Sequence, residues 1–187
     1  MFYEFNVLID KWLILRFRYG SQEAFCRIFE AYKDTMLRLA LSLLFDRSVA
    51  EDIVHEVFLQ MIRKRQTFEL TGSLKAYLST CVANRVRNAN RDLKQTETLD
   101  SQQILQKISD SRRPDQWAVC SEEFEQLREA LLQLPCDQRE VVILHTQGHL
   151  TFKQISKYQD CSFKTVQSRY RYALNKLRVL LDGQVAL

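Results

Sequence analysis

Four glycines and two prolines in 187 residues leave this chain nearly without the residues that break helices. No alternating β-branched run bounded by turn signals is present either, so helices are expected almost everywhere. The five cysteines, Cys26, Cys81, Cys120, Cys136 and Cys161, are odd in number, widely spaced and without a CxxC pair. That argues against a disulfide framework or a zinc knuckle and for reduced thiols, with Cys81 and Cys136 expected in the core. No apolar run approaches the roughly 20 residues that span a bilayer, so no membrane insertion is expected. In the opening stretch MFYEFNVLIDKWLILRFRYG, acids interrupt the apolar residues and no small-residue cleavage site follows. It reads as an extra helix or a disordered extension. His145 and His149 lie four apart, but Gly148 between them is expected to end their helix, and neither a metal nor another cofactor is expected.

Charge is nearly balanced overall, 27 basic against 23 acidic side chains. It is segregated along the chain. From Thr151 to Leu187 seven Lys/Arg face two Asp, whereas from Asp115 to Glu140 seven acids face two arginines. A basic end of this kind is the footprint of a polyanionic partner.

The few punctuating residues divide the periodic stretches. Ser21, after Gly20, is a candidate N-cap for a helix with Phe25, Ile28, Phe29, Tyr32, Met36, Leu39 and Leu43 inward. Ser48 to Glu51 reads as a capping box opening a helix with Ile53, Val54, Val57, Phe58, Met61 and Ile62 inward. Gly72-Ser73 opens a third helix through Leu74, Tyr77, Leu78, Cys81, Val82, Val86 and Ala89. Residues 95–118 are polar and read as a linker. Beyond it Ser121 heads a helix that Pro135 stops, Asp137 to Glu140 caps the next, Thr151 to Gln154 forms another capping box, and Ser162 caps the last helix. The expectation is an all-α protein: an N-terminal extension (1–20), a helical domain (21–94), a flexible linker (95–118) and a second helical domain (119–187).

The last two helices, joined by Gln159-Asp160-Cys161, have the outline of a helix-turn-helix. Behind, the final helix carries Phe163, Val166, Tyr170, Ala173, Leu174 and Leu177. In front it offers Lys164, Thr165, Gln167, Ser168, Arg169 and Arg171 as donors to phosphates and base edges. In the first domain, Asn84, Arg87, Asn88 and Arg91 form an exposed amide and guanidinium face suited to bases or a displaced strand. Phe68 and Tyr77 flank the preceding loop and could either stack on a base or fill the core. Glu51, Asp52 and Glu56 sit among large apolar residues without a matching histidine or second carboxylate cluster, a pattern closer to a docking surface than to an active site.

AEDIVHEVFLQM resembles the polymerase-binding helix of sigma factors of the extracytoplasmic-function type. GSLKAYLSTCVANRVRNANR resembles their minus-ten helix, and LREALLQLPCDQREVVILHTQGHLTFKQIS with CSFKTVQSRYRYALNKLR resembles their minus-thirty-five domain. The resemblance implies an alternative sigma factor, non-enzymatic and cytoplasmic, with RNA polymerase core, promoter DNA and an anti-sigma factor as partners. It implies that Asp52, Val54, Glu56, Phe58 and Leu59 touch the clamp helices of the polymerase β′ subunit, and that Asn84, Asn88 and Arg91 face the melted minus-ten strand. Lys164, Thr165, Gln167, Ser168, Arg169 and Arg171 would meet the minus-thirty-five duplex. Departures from the family pattern concentrate in the reader motif, at Ser156, Tyr158, Gln159, Asp160, Lys164 and Gln167, with Asn88 replacing an acid in the first domain. They leave open a sigma-like decoy, or a module that binds an anti-sigma factor, without promoter recognition.

Overall fold

The computed structural model describes residues 2–44, 46–70, 72–96 and 122–182. Among these residues there are eight α-helices, one 3-10 turn and no strand. The chain divides into two units, Met1–Ile104 and Leu105–Leu187.

The first unit packs α1 (Phe2–Arg18), α2 (Gln22–Leu44), α3 (Arg47–Arg63) and α4 (Leu74–Thr96), with a 3-10 turn at Arg65–Thr67. Ile28, Met36 and Leu39 of α2, Val57, Phe58 and Met61 of α3, and Leu74, Leu78, Val82 and Val86 of α4 are buried, as their spacing predicts. The Phe58 ring meets Phe29 edge-on at 4.9 Å and Phe25 at 6.3 Å, an aromatic knot between α2 and α3. The opening stretch is the extra helix of the two readings, and α1 is integral to this bundle. Leu13, Ile14 and Phe17 are buried, and the Tyr32 hydroxyl of α2 donates to both carboxylate oxygens of the buried Asp10, at 2.9 and 2.7 Å.

The helix starts follow local chemistry, with two corrections. Ser21, Ser73 and Ser162 accept from the backbone N–H three residues on, and Thr151 with Gln154 forms the full capping box. The cap of α3 is Asp46, not Ser48: its carboxylate accepts from Val49 N at 3.1 Å, while Glu51 pairs with Arg47 at 2.8 Å. A carboxylate upstream satisfies an orphan donor and also meets the positive end of the helix dipole. The cap ahead of Glu140 is Pro135, so the helix begins before Asp137 and Glu140 lies within it, turned inward, rather than at its capping position. The Ser121 cap and the linker beyond Thr96 lie outside the described residues.

In the second unit α5 (Glu122–Leu132), α6 (Cys136–Thr146), α7 (Phe152–Tyr158) and α8 (Phe163–Asp182) enclose a separate core. Ala130, Leu134, Val142, Ala173 and Leu177 form one cluster, with Leu131, Tyr170, Leu180 and Leu181 packed against it. Within the stripe expected on α8, Phe163 and Leu174 are exposed at its margins, and Val166, Ala173 and Leu177 are fully inward. Lys176 Nζ donates to the Gln133 carbonyl at 2.7 Å, capping the end of α5. At the α6–α7 turn glycine is required: a Cβ on Gly148 would lie 2.6 Å from the Leu144 carbonyl oxygen.

Burial raises the Asp10 carboxyl above its ordinary aspartate value, while the Tyr32 bond pulls weakly the other way. The folded state therefore holds that proton more tightly than the unfolded chain, so its contribution to stability falls as pH rises through the raised value. Asp10→Asn keeps an acceptor for Tyr32 and removes the charge. The variant should gain in thermal midpoint relative to the parent as pH rises above the ordinary aspartate range. A pH-independent difference would show that Asp10 does not titrate in the buried site.

Candidate polymerase and nucleic-acid interfaces

The helix-turn-helix of the second unit is held by a chain of polar contacts. Asp160 at the turn has φ 51°, a left-handed conformation that aspartate tolerates where glycine is the usual choice. Gln159 and Tyr158, the least expected residues of the motif, are both buried and both donate to the inward Glu140. The Tyr158 hydroxyl lies 3.3 Å from one carboxylate oxygen, and Gln159 Nε2 lies 3.0 Å from the other. Gln159 Nε2 also donates to the Asp137 carbonyl at 3.0 Å. Its Oε1 accepts from Arg169 Nη1 at 2.7 Å, and Arg169 Nη2 donates to the Asp137 carboxylate at 2.5 Å. One guanidinium of α8 thus fastens the N-terminal turn of α6 to the end of α7.

This corrects the reading of Arg169 as a base or phosphate contact. Its guanidinium is committed to Asp137, Gln159 and, at 3.5 Å, the Cys161 sulfur. The other residues of that set differ. Lys164, Gln167 and Arg171 are exposed, Ser168 is half-buried, and the Arg171 guanidinium lies 5.4 Å from the Tyr172 ring centroid. Thr165 is half-buried, with its hydroxyl 2.8 Å from Ser162 Oγ at the helix start. His145 is a packing residue. Its Nδ1 donates to the Leu150 carbonyl at 2.9 Å, and its ring stacks on Phe152 at 4.4 Å with Tyr170 edge-on at 5.1 Å. Cys136, expected inside, is exposed at the start of α6, and Cys161 is half-buried beside Arg169.

In the first unit, Asn84, Arg87, Asn88 and Arg91 all lie on the exposed face of α4. Two of them border a cavity of about 600 Å³ that sequence reasoning missed, lined also by Gln60, Lys64, Tyr77, Thr80, Cys81 and Arg85. The spacing 77, 80, 81, 84, 88 on α4, with Gln60 on α3 and Lys64 at its C-cap, is the signal that could have found it. Phe68 is buried, its ring edge-on to Tyr77 at 5.0 Å, so it belongs to the core and is not available to stack on a base. Burial raises the Tyr77 phenol to about 12, and it also raises the Cys81 thiol, so both present neutral O–H and S–H groups at neutral pH.

On α3 the docking set divides. Val54 and Phe58 are 5% and 2% exposed and belong to the core, because they sit on the arc that faces α2 and α4. Glu56 pairs with Arg85 at 2.6 Å. Asp52 and His55 are exposed, and Leu59 and Ile62 are 50% and 42% exposed. Asp52, His55, Leu59 and Ile62 follow the i, i+3, i+7, i+10 spacing of a single helix face. Ile62 was expected inward and His55 went unassigned in the sequence reading.

Arg169→Ala should destabilise the second unit by about 1–3 kcal/mol, since it leaves Asp137 and Gln159 without their donor. Asp137→Ala added to it should cost little more in urea unfolding, because the two share one interaction. Full additivity would break the proposed link.

Residues 28–96 match Sigma-70 region 2, and residues 124–177 match Sigma-70, region 4. The ECF RNA polymerase sigma factor EcfG of Rhodopseudomonas palustris is 33% identical over 146 residues, covering 77% of this chain and 78% of the relative. The RNA polymerase sigma factor CarQ of Myxococcus xanthus is 28% identical over 172 residues, covering 92% and 97%. Among solved structures, the sigma factor RpoE of Bartonella quintana, seen with the anti-sigma factor NepR, superposes with a TM-score of 0.63 at 25% identity, covering 84% of this chain and 96% of that one. CnrH, in complex with the cytosolic domain of CnrY, shares the fold with a TM-score of 0.64 at 19% identity, covering 94% and 98%. Two ordered helical units, an exposed reader helix and these likenesses agree: the chain belongs to the extracytoplasmic-function sigma factors of the sigma-70 family, alternative sigma factors for promoter-specific transcription initiation.

Proposed function

We propose a division of labour among the surfaces of the two units. The α3 face of Asp52, His55, Leu59 and Ile62 docks on RNA polymerase core, and Glu56 is held back by Arg85 to order α4 against α3. Half-exposed leucine and isoleucine beside an acid suit a protein partner, which desolvates the apolar groups and leaves the charge at the rim. Asn84, Arg87, Asn88 and Arg91, with the cavity beside them, meet the melted minus-ten strand. There, amides can pair with base edges and guanidinium groups with phosphates.

Lys164, Thr165, Gln167, Ser168 and Arg171 face the minus-thirty-five duplex, while Arg169 sets the angle at which α8 is presented. The observation that carries this reading is the polar network around Gln159. It accounts for the atypical turn residues as a fastened helix-turn-helix and so favours a working reader over a decoy. The likeness to a sigma factor seen with NepR supports an anti-sigma factor as the regulator of this chain. The site of action is then where the polymerase works, in the cytoplasm.

Leu59→Asp with Ile62→Asp should abolish co-purification with core polymerase and leave circular dichroism unchanged; an intact complex would refute the α3 assignment. Arg171→Ala and Lys164→Ala should each lower affinity for duplex promoter DNA. A phosphate contact should reduce the salt slope by about 1, and a base contact should cost about 1–3 kcal/mol at one position. Titrations against salt that overlay the parent curve would remove that residue from the interface.

A further inference from the structure

The end of α1 receives a side chain from the turn that leads towards α4. Gly20 N–H donates to the Phe17 carbonyl at 2.9 Å and Ser21 N–H to the Arg16 carbonyl at 3.0 Å, the paired bonds of a Schellman cap. The Gly20 φ of +96° is the left-handed conformation that such a cap needs, and glycine takes it without steric cost. Phe17 anchors this end in the core, its ring centroid 5.6 Å from that of Phe25. The 3-10 turn Arg65–Thr67 packs against α1. A Cβ on Gly20 would lie 3.2 Å from Arg65 Nη1 and 3.8 Å from its Cζ, so the guanidinium of this half-buried residue rests on the bare glycine. It sits at the carbonyl end of α1, where the helix dipole favours a cation. From that seat a short path leads to the α4 face. Thr67 N–H donates to the Lys64 carbonyl at 3.0 Å and Phe68 N–H to the Arg65 carbonyl at 3.4 Å, so the backbone that carries Arg65 also sets Phe68. Phe68 is buried with its ring edge-on to Tyr77, and Tyr77 lines the cavity beside Asn84 and Asn88. The match to Sigma-70 region 2 begins at residue 28, so α1 and Gly20 lie ahead of it and the turn they support lies inside it.

We infer that Arg65 is a positioning residue for strand binding. Seated on Gly20, it braces the 3-10 turn against α1 and holds Phe68 and Tyr77, and with them one wall of the cavity, in the arrangement that meets the single strand. The inference rests on the reading of the α4 face as the strand-binding surface. It adds to that reading a residue that touches no nucleotide and acts through its neighbours. The rival role for Arg65 is a direct phosphate contact. Its half-buried side chain, turned to the end of α1, suits that role less than Lys64 does, which is exposed and lines the cavity itself.

The test joins two measurements on the full-length chain: amide hydrogen exchange of the free protein, and affinity for a short single-stranded DNA enriched from a random pool on the parent. In Arg65→Ala the amides of Thr67 and Phe68 should exchange about tenfold faster, while unchanged exchange in the α2 core reports an intact fold. The strand should bind that variant about fivefold more weakly. Arg65→Lys keeps a cation at the helix end and should recover most of both losses. Gly20→Ala crowds the seat, and combining it with Arg65→Ala should weaken binding no further than the stronger single change. Weakened binding with parental exchange would make Arg65 a direct contact and overturn the inference. Faster exchange with parental affinity would also overturn it, as would full additivity of the two changes or an Arg65→Lys variant no better than Arg65→Ala. Asn84→Ala with Asn88→Ala separates the two levels. Parental affinity in that variant would remove the strand site and the inference with it, whereas a loss there beside parental exchange and affinity in Arg65→Ala would leave the site standing and sink only the brace.

Discussion

Each helix in this protein can bury only one stripe, and that limit shapes every surface it has. A bundle of four short helices has one core, so the arc of each helix that points away must be soluble, paired or waiting for a partner. In the first unit α2 contributes Ile28, Met36 and Leu39 to the core. α3 and α4 close over them and leave two outward faces of different chemistry, acid with aliphatic on α3 and amide with guanidinium on α4. The ion pair between Glu56 and Arg85 links these two helices. A sigma factor must grip a protein and a nucleic acid at once, and the proposed assignment of these two faces would let one small domain do both.

The second unit addresses a different problem, fixing the crossing of two short helices joined by a tight turn. In the turn of this motif the chain has Tyr158, Gln159 and Asp160. Asp160 takes the left-handed conformation, and the two bulky polar side chains are buried against Glu140. Burying a carboxylate is costly unless its oxygens are satisfied, and here each oxygen has a donor. Gln159 bonds through both ends of its amide, and Arg169 completes the set through Asp137. Removing any one member leaves another unsatisfied, so the network favours one arrangement of the motif over its neighbours.

Some of this was legible in the chain and some was not, for reasons that particular residues make clear. The core stripes of α2 and α4 follow from periodicity, as do the Thr151 capping box and the serine caps, because these depend on spacing along one helix. Asp46 displaced Ser48 as a cap because both are good capping residues two positions apart, and the helix start chooses between them. Val54 and Phe58 misled for a related reason. The family segment names a helix, and only its rotation against α2 decides which of its residues touch a partner.

Composition and period thus determined that the chain is helical, where its helices run, and which family its segments resemble, because those properties are written in neighbours along the backbone. Which arginine is exposed and which is a fastener, and whether the opening stretch is a tail or a packed helix, were decided by contacts between residues far apart in sequence. Arg169 meets Asp137 across 32 positions, and Tyr32 meets Asp10 across 22. No local pattern records such a pairing, since it exists only once the helices have packed.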